Sequence, residues 1–94
     1  MSMPNETTWT FLSNHAHVLI CLNRDPGLRI RDLAELVGIT ERAVQRIISE
    51  LVEGNYISIN KDGRRNTYEI HSAKPLRHPV EQHRCIRDLL HLIS

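Results

Sequence analysis

A single glycine separates two short segments whose apolar residues both follow helical spacing, and this arrangement restricts the folds that the chain can adopt. Leu33, Ala34 and Val37 would share one face of a first helix. Gly38 follows at a point where helices commonly end in the left-handed conformation. Beyond it, apolar residues recur at i, i+3, i+4 and i+7: Val44, Ile47, Ile48 and Leu51. The pattern predicts two helices joined by a tight turn, and the small Ala34 lets them cross closely.

The residues before this pair predict one more helix and a short strand. Ser13 is a favourable N-cap, and the apolar run behind it continues to about Arg24. Asp25-Pro-Gly ends that helix, because the residue before a proline avoids the helical region. Residues 28–30 are too few for a helix and predict a brief strand.

The two central helices are expected at about residues 32–37 and 40–53. Thr40 is the N-cap of the second, and Asn55 should take the left-handed conformation that ends it. The first lacks a favoured cap, since Arg31 stands where serine or threonine is preferred and the following aspartate compensates only in part.

After the third helix, the apolar spacing changes to two, which is typical of strands. The alternating residues are Ile57, Ile59, Tyr68 and Ile70. Residues 61–65 between them are charged and contain Asp-Gly, a strong hairpin signal. Residues 73–78 predict a linker, and Pro79 suits the first turn of a final helix over residues 79–93. The fold class is therefore mainly α with a small β-hairpin.

Length and composition limit the protein to a single small domain. The chain has 94 residues and no run of apolar residues that could span a membrane. Residues 1–8 are polar and predict a flexible tail, and their lack of a basic or apolar region argues against a secretion signal. Cys21 and Cys85 show no CxxC pattern and are typical of reduced thiols, so a cytoplasmic protein is expected.

The central segment and the hairpin together resemble the winged helix-turn-helix regulators of the MarR and ArsR type from prokaryotes. The small residue at 34, the glycine at 38 and the apolar residues at 33, 37, 39, 44 and 47 match the helix-turn-helix pattern, and residues 56–71 look like the wing. The resemblance implies a sequence-specific DNA-binding transcription regulator. Its DNA-binding domain would span residues 9–72, followed by a linker over 73–78 and a dimerisation helix over 79–94.

One face of the third helix carries residues suited to reading base edges. At 100° per residue, the side opposite the apolar stripe presents Arg42, Gln45, Arg46 and Ser49. These side chains can hydrogen bond to bases in the major groove. The alternative is a solvated helix face, on which Glu50 forms a salt bridge with Arg46. Arg42 and Arg46 are like charges at i, i+4, however, which is mildly destabilising without an anion nearby.

Basic residues near this face predict contacts with the DNA backbone or minor groove. The wing tip carries Lys61, Arg64 and Arg65, which would face phosphates. Thr40, at the start of the third helix, could bind a phosphate together with the free backbone N–H groups. A tip kept charged for solubility and a simple N-cap are the respective alternatives.

The final helix predicts a second copy of the chain as a partner. Its apolar residues cover an arc of about 160° on a helical wheel: Cys85, Ile86, Leu89, Leu90, Leu92 and Ile93. One small domain covers only part of so wide a face, which favours a homodimer about a two-fold axis. The alternative is that the helix packs back on its own domain through Phe11, Leu12 and Leu19.

Other functions find little support in the sequence. There is no nucleophile elbow, glycine-rich phosphate loop or HExxH motif, so neither an enzyme nor a cofactor is expected. The six histidines lack the spacing that a zinc site favours, although a site shared between subunits stays open. The expected partners are double-stranded DNA and a second copy, with no membrane and an unknown effector. A protein-binding winged-helix module and a metal- or thiol-sensing repressor are the alternatives.

Overall fold

The computed structural model describes residues 9–93, which form four helices and one antiparallel hairpin. In chain order these are α1 (Asn14–Arg24), α2 (Ile30–Val37), α3 (Glu41–Glu53), β1 (Ile57–Asp62), β2 (Arg65–Ile70) and α4 (Ile86–Ile93). This order confirms the predicted fold class. Residues 1–8, for which a flexible tail is predicted, and Ser94 lie outside the described residues. Within the described range, no helix is long and apolar enough to cross a bilayer.

Side-chain caps fix the starts of α1 and α3 at the predicted residues. The Ser13 hydroxyl accepts a hydrogen bond from the Ala16 N–H at 3.3 Å, and the Thr40 hydroxyl accepts one from the Ala43 N–H at 3.0 Å. Each cap satisfies one of the backbone donors that a helix leaves unpaired at its start. The C-cap of α1 is Asp25, as the sequence predicts.

The start of α2 differs from the prediction, and the strand predicted at residues 28–30 is absent. The helix begins two residues early, so its N-cap is Arg29, whose N–H donates to the Asp32 carboxylate at 3.2 Å. The predicted strand was wrong because the Leu28 N–H bonds to the Asp25 carbonyl in a turn, and Ile30 is already helical. The Tyr68 N–H donates to Pro26 and so joins this loop to β2.

Two residues with positive φ end the central helices, as predicted. Gly38 has φ +83° at the end of α2, and Asn55 has φ +65° just after α3. Glycine and asparagine adopt this left-handed conformation at low cost, which allows the chain to reverse direction within one or two residues. The first of these turns joins α2 to α3 in a helix-turn-helix.

The hairpin pairs β1 with β2 in a register that runs from Ile57 opposite Ile70 to Asp62 opposite Arg65. Gly63 and Arg64 therefore form a two-residue loop, and Gly63 has φ +67°. A glycine with positive φ at the first loop position is typical of a type II′ turn, which matches the twist of the strands.

The core lies where α1, α2, α3 and the base of the hairpin meet. Its most deeply buried side chains are Val18, Leu22, Leu33, Val44, Ile47 and Ile57. The predicted apolar stripes of α2 and α3 both contribute to it, and Ala34 is buried at the helix crossing.

The final helix is much shorter than predicted, because it begins at Ile86 rather than at Pro79. The Leu76 N–H donates to the Arg84 carbonyl, and the Ile86 N–H donates to the Lys74 carbonyl. This antiparallel pairing around Pro75 and Cys85 holds the backbone before Ile86 in an extended conformation, so it cannot be helical. Residues 73–85, of which 73–78 are predicted as a linker, form a loop fastened to the domain.

The position of α4 revises the predicted dimer face. Ile86 and Leu90 are buried in the core of their own chain, where α4 packs against α1. The alternative of a helix packed on its own domain therefore holds for these two residues. Leu89 is half-buried, whereas Leu92 and Ile93 are 75% and 37% exposed.

Tyr56→Phe tests how the 73–85 loop is fastened. The Tyr56 hydroxyl donates to the Pro75 carbonyl at 2.8 Å, and we expect its loss to lower the free energy of unfolding by about 1 kcal/mol. Urea denaturation measures this change. In the control Tyr68→Phe, the hydroxyl removed has no hydrogen-bond partner among the described residues, so the loss should be smaller. Equal losses in the two variants would show that the Tyr56 hydrogen bond does not fasten the loop.

Candidate nucleic-acid interface

The exposed face of α3 presents the four residues that the sequence singles out for base reading. Arg42, Gln45, Arg46 and Ser49 are all exposed. The opposite side of the helix is buried through Val44, Ile47, Ile48 and Leu51. Because the buried stripe fixes the rotation of the helix, these polar residues form one continuous strip on the surface. We call this strip the α3 face.

The two arginines of the α3 face have different surroundings. Among residues 9–93, no carboxylate lies within ion-pair distance of Arg42. In Arg46, Nη1 lies 3.8 Å from Oε2 of Glu50, one turn further along the helix. This is the helix salt bridge that the sequence left open as an alternative. It is long and solvent-exposed, so it leaves most of the guanidinium donors free.

A contact that sequence reasoning missed connects α1 to this face. His15 Nε2 lies 2.6 Å from Glu50 Oε1, and the ring nitrogen donates to the carboxylate. This hydrogen bond is the main reason that the pKa of Glu50 is lowered, with smaller effects from the nearby charges of His15, Arg46 and Arg77. The two partners are 35 residues apart, so no spacing rule reveals the pair.

The three basic residues of the wing tip are all exposed, and one of them also bonds to another part of the domain. Lys61 and Arg64 are exposed near the two-residue loop. Arg65, which is also predicted to face DNA, donates through Nη2 to the carbonyl of Gly27 in the α1–α2 loop. This side chain joins the wing to the rest of the domain, so its guanidinium is partly engaged within the chain.

A shallow hollow of about 300 Å³ lies between the α3 face and the wing. Ser49 and Val52 line it from α3, and Ile59 lines it from β1. Ile59 is 40% exposed, although the apolar alternation of the strand predicts that its side chain is buried. The end of the α3 face and the wing therefore border a common surface.

Thr40 lies at the start of the α3 face, where its hydroxyl oxygen accepts the capping bond described above. The hydroxyl proton can still be donated, so a cap and a phosphate contact are chemically compatible. Glu41, in the first turn, is also exposed and adds a negative charge at this end of the helix.

The histidines and cysteines do not gather into one cluster. In the part of the chain that the structure describes, no group of three or more His, Cys, Asp or Glu side chains could bind a metal ion. His71 bonds to Ser58 and to the Asn55 carbonyl, and burial raises the pKa of the Cys21 thiol. Both residues are half-buried.

Comparison with known families identifies the domain. Residues 13–58, which cover α1, α2, α3 and the start of β1, match the model of the winged helix-turn-helix DNA-binding family. This segment is similar to that family, and the helices and hairpin described above agree with a winged helix-turn-helix fold.

The chain is also similar over part of its length to a solved structure. The zinc-dependent MarR family transcriptional regulator AdcR, in its Zn(II)-bound state, is 24% identical in sequence, with a TM-score of 0.49. The alignment covers 68% of this chain and 46% of that one, so the chain spans less than half the length of AdcR. Comparison with curated proteins gives no match.

His15→Ala tests the hydrogen bond to Glu50. We expect the pKa of Glu50 to rise toward its usual value of 4.5, because its main stabilising partner is lost. Since that pKa is lowered in the folded state, the bond stabilises the fold above pH 4.5, and this contribution is lost as the pH falls through the lower, folded value. An NMR titration of the Glu50 carboxyl carbon measures the shift.

The control variant is His17→Ala, whose ring bonds to Asn14 and not to α3. It should leave the pKa of Glu50 unchanged. A Glu50 pKa that stays low in His15→Ala would show that His15 is not its main stabilising partner.

Proposed function

We propose that the protein binds double-stranded DNA sequence-specifically and regulates transcription, with α3 in the major groove. The observation that carries this proposal is the α3 face: a continuous exposed strip of arginine, glutamine and serine on the second helix of a helix-turn-helix. The match of residues 13–58 to a DNA-binding family supports it independently.

The chemistry of the α3 face suits base edges. Arginine binds the O6 and N7 acceptors of guanine with two donors, and glutamine pairs similarly with adenine. Arg42, which has no carboxylate partner among the described residues, lies one turn from Arg46. Two like charges at this spacing repel each other, the exposed Glu50 contact offsets little of that repulsion, and an anionic surface such as DNA relieves it.

The wing supplies contacts that do not depend on sequence. Lys61 and Arg64 are exposed at its tip and would bind phosphates or enter the minor groove. For Arg65 we propose a different main role, because its guanidinium bonds to Gly27 and holds the wing against the α1–α2 loop. Thr40 would add a phosphate contact at the start of α3.

We also propose that the protein acts as a homodimer, through a smaller apolar face than the sequence predicts. Because Ile86 and Leu90 are occupied in the core, the dimer face would consist of Leu89, Leu92 and Ile93, with Cys85 at its edge. Phe11 is 92% exposed and borders the same groove as Leu89, which extends this face. A two-fold axis would place the two α3 helices on half-sites about 34–36 Å apart, or a multiple of that spacing.

A salt titration tests the proposal as a whole. Binding to random duplex DNA should weaken steeply as salt rises, because lysine and arginine displace counterions from phosphates. Selection of bound sequences from a random duplex pool should then yield a preferred site. A salt-independent response without sequence enrichment would favour a protein-binding module instead.

Two substitutions should separate base reading from backbone contact. Arg46→Ala should weaken binding to the selected site by about 1–3 kcal/mol and relax one base position. Arg64→Ala should weaken binding to all sequences similarly and reduce the salt slope by about one. Affinity measurements on a set of single-base variants distinguish the two patterns. Identical behaviour of both variants would refute the proposed division of roles between α3 and the wing.

Leu92→Glu tests the dimer face without disturbing the core. Leu92 is 75% exposed, so a buried charge arises only if a second copy covers it. We expect the variant to sediment as a monomer at micromolar concentration and to bind its site more weakly. Leu36→Glu, on α2 and 64% exposed, is the control and should leave the oligomeric state unchanged. A wild-type protein that sediments as a monomer would refute the dimer but not DNA binding.

A further inference from the structure

Glu50 has two contacts that join the α3 face to the first helix. Its Oε1 accepts the hydrogen bond from His15 at 2.6 Å, and its Oε2 lies 3.8 Å from Nη1 of Arg46. One carboxylate therefore faces α1 on one side and the proposed base-reading arginine on the other. The pKa of this carboxyl is lowered, mainly by the His15 bond, so it is ionised at neutral pH.

We infer that Glu50 is a positioning residue that determines how selectively Arg46 reads its base, and that His15 fixes Glu50 in place. This inference rests on the proposed function. The Arg46 side chain is 63% exposed, so little else in the domain restrains it. A guanidinium reads guanine through two parallel hydrogen bonds, which require the plane of the group to be correctly oriented.

The geometry allows Arg46 to contact Glu50 and a base edge at the same time. The contact with Glu50 involves one terminal nitrogen, and a guanidinium has five N–H donors. The remaining donors are available to a base edge. Arg42 lacks such a partner among the described residues, so Arg46 is the arginine of the α3 face that has a carboxylate beside it to restrain its orientation.

Glu50→Gln should lower base preference and raise affinity for random duplex, a combination that a merely structural role would not produce. The amide retains an acceptor for His15 but removes the charge that attracts Arg46. We expect the preference for the best base at the Arg46 position to fall about two- to fivefold, the range that an exposed ion pair can supply. Affinity for random duplex should rise about twofold at low salt, because one negative charge beside the phosphates is lost. A variant that is partly unfolded would lose both.

Glu53→Gln is the matched control on the same helix. Glu53 is exposed and has no ion-pair partner in the described range, so its loss changes the charge of α3 without touching Arg46. Affinity for random duplex should rise in this variant too, while base preference stays as in the wild type. A loss of base preference equal to that of Glu50→Gln would overturn the inference, since the effect would then be one of overall charge.

A double-mutant cycle ties the effect to Arg46. In the Arg46→Ala background, Glu50→Gln should no longer change base preference, because the residue that it positions is absent. His15→Ala should reproduce part of the loss seen in Glu50→Gln, and His15→Gln, which retains a donor, should restore it. An effect of Glu50→Gln that persists without Arg46 would overturn the inference.

A measurement without DNA separates this inference from the proposed function. In the free protein, the heteronuclear NOE of the Arg46 Nε–H should fall in Glu50→Gln and stay unchanged in Glu53→Gln. If the wild type does not bind duplex DNA, the proposed function fails whatever the NOE shows. If the wild type binds DNA but neither the NOE nor base preference changes in Glu50→Gln, only the positioning role fails.

Discussion

The placement of every candidate DNA contact depends on the apolar core shared by α1, α2 and α3. Val18, Leu33 and Val44 are fully inaccessible there, one from each helix. Burying Val44 and the residues in register with it fixes the rotation of α3 about its own axis, which leaves the polar strip pointing outward. A helix free to rotate would present no defined face. The proposed DNA-binding surface therefore depends on apolar packing on the opposite side of the same helix.

Polar contacts between distant segments then refine this arrangement. Arg65 joins the wing to the α1–α2 loop through the Gly27 carbonyl, and the Tyr68 N–H bonds to Pro26 beside it. A separate contact, from His15 to Glu50, joins α1 to α3. The wing is therefore joined to the loop that follows α1, and α3 is joined to α1 itself.

The C-terminal segment shows how backbone hydrogen bonds can override a helical sequence pattern. Its apolar spacing and the position of Pro79 both favour a long helix. The pairing of residues 74–76 with residues 84–86 instead keeps this backbone extended, and the Asp88 carboxylate then accepts from the Cys85 N–H to start α4. That bond is also the main reason that the pKa of Asp88 is lowered. The shorter helix buries Ile86 and Leu90 in its own domain and leaves a narrower face for a partner.

The sequence by itself determined the features that depend on neighbouring residues. Ser13 and Thr40 specify helix starts, and Gly38 and Asn55 specify helix ends, because caps and left-handed residues act within three or four positions of the chain. The apolar periodicity of α3 likewise determined which residues are exposed on the α3 face, since a helix repeats every 3.6 residues.

Only the tertiary structure decided the contacts between segments far apart in sequence. The pairs formed by His15 and Glu50 and by Arg65 and Gly27 join residues 35 and 38 positions apart, and no local pattern encodes them. The missed start of α4 has the same cause, whereas the missed start of α2 depends on a local turn. A turn bond from Leu28 to Asp25 and the pairing around Pro75 and Cys85 used backbone groups that propensity alone assigned elsewhere. Backbone donors and acceptors bond to whichever partner the packed fold brings within reach, and that partner is set by the whole core.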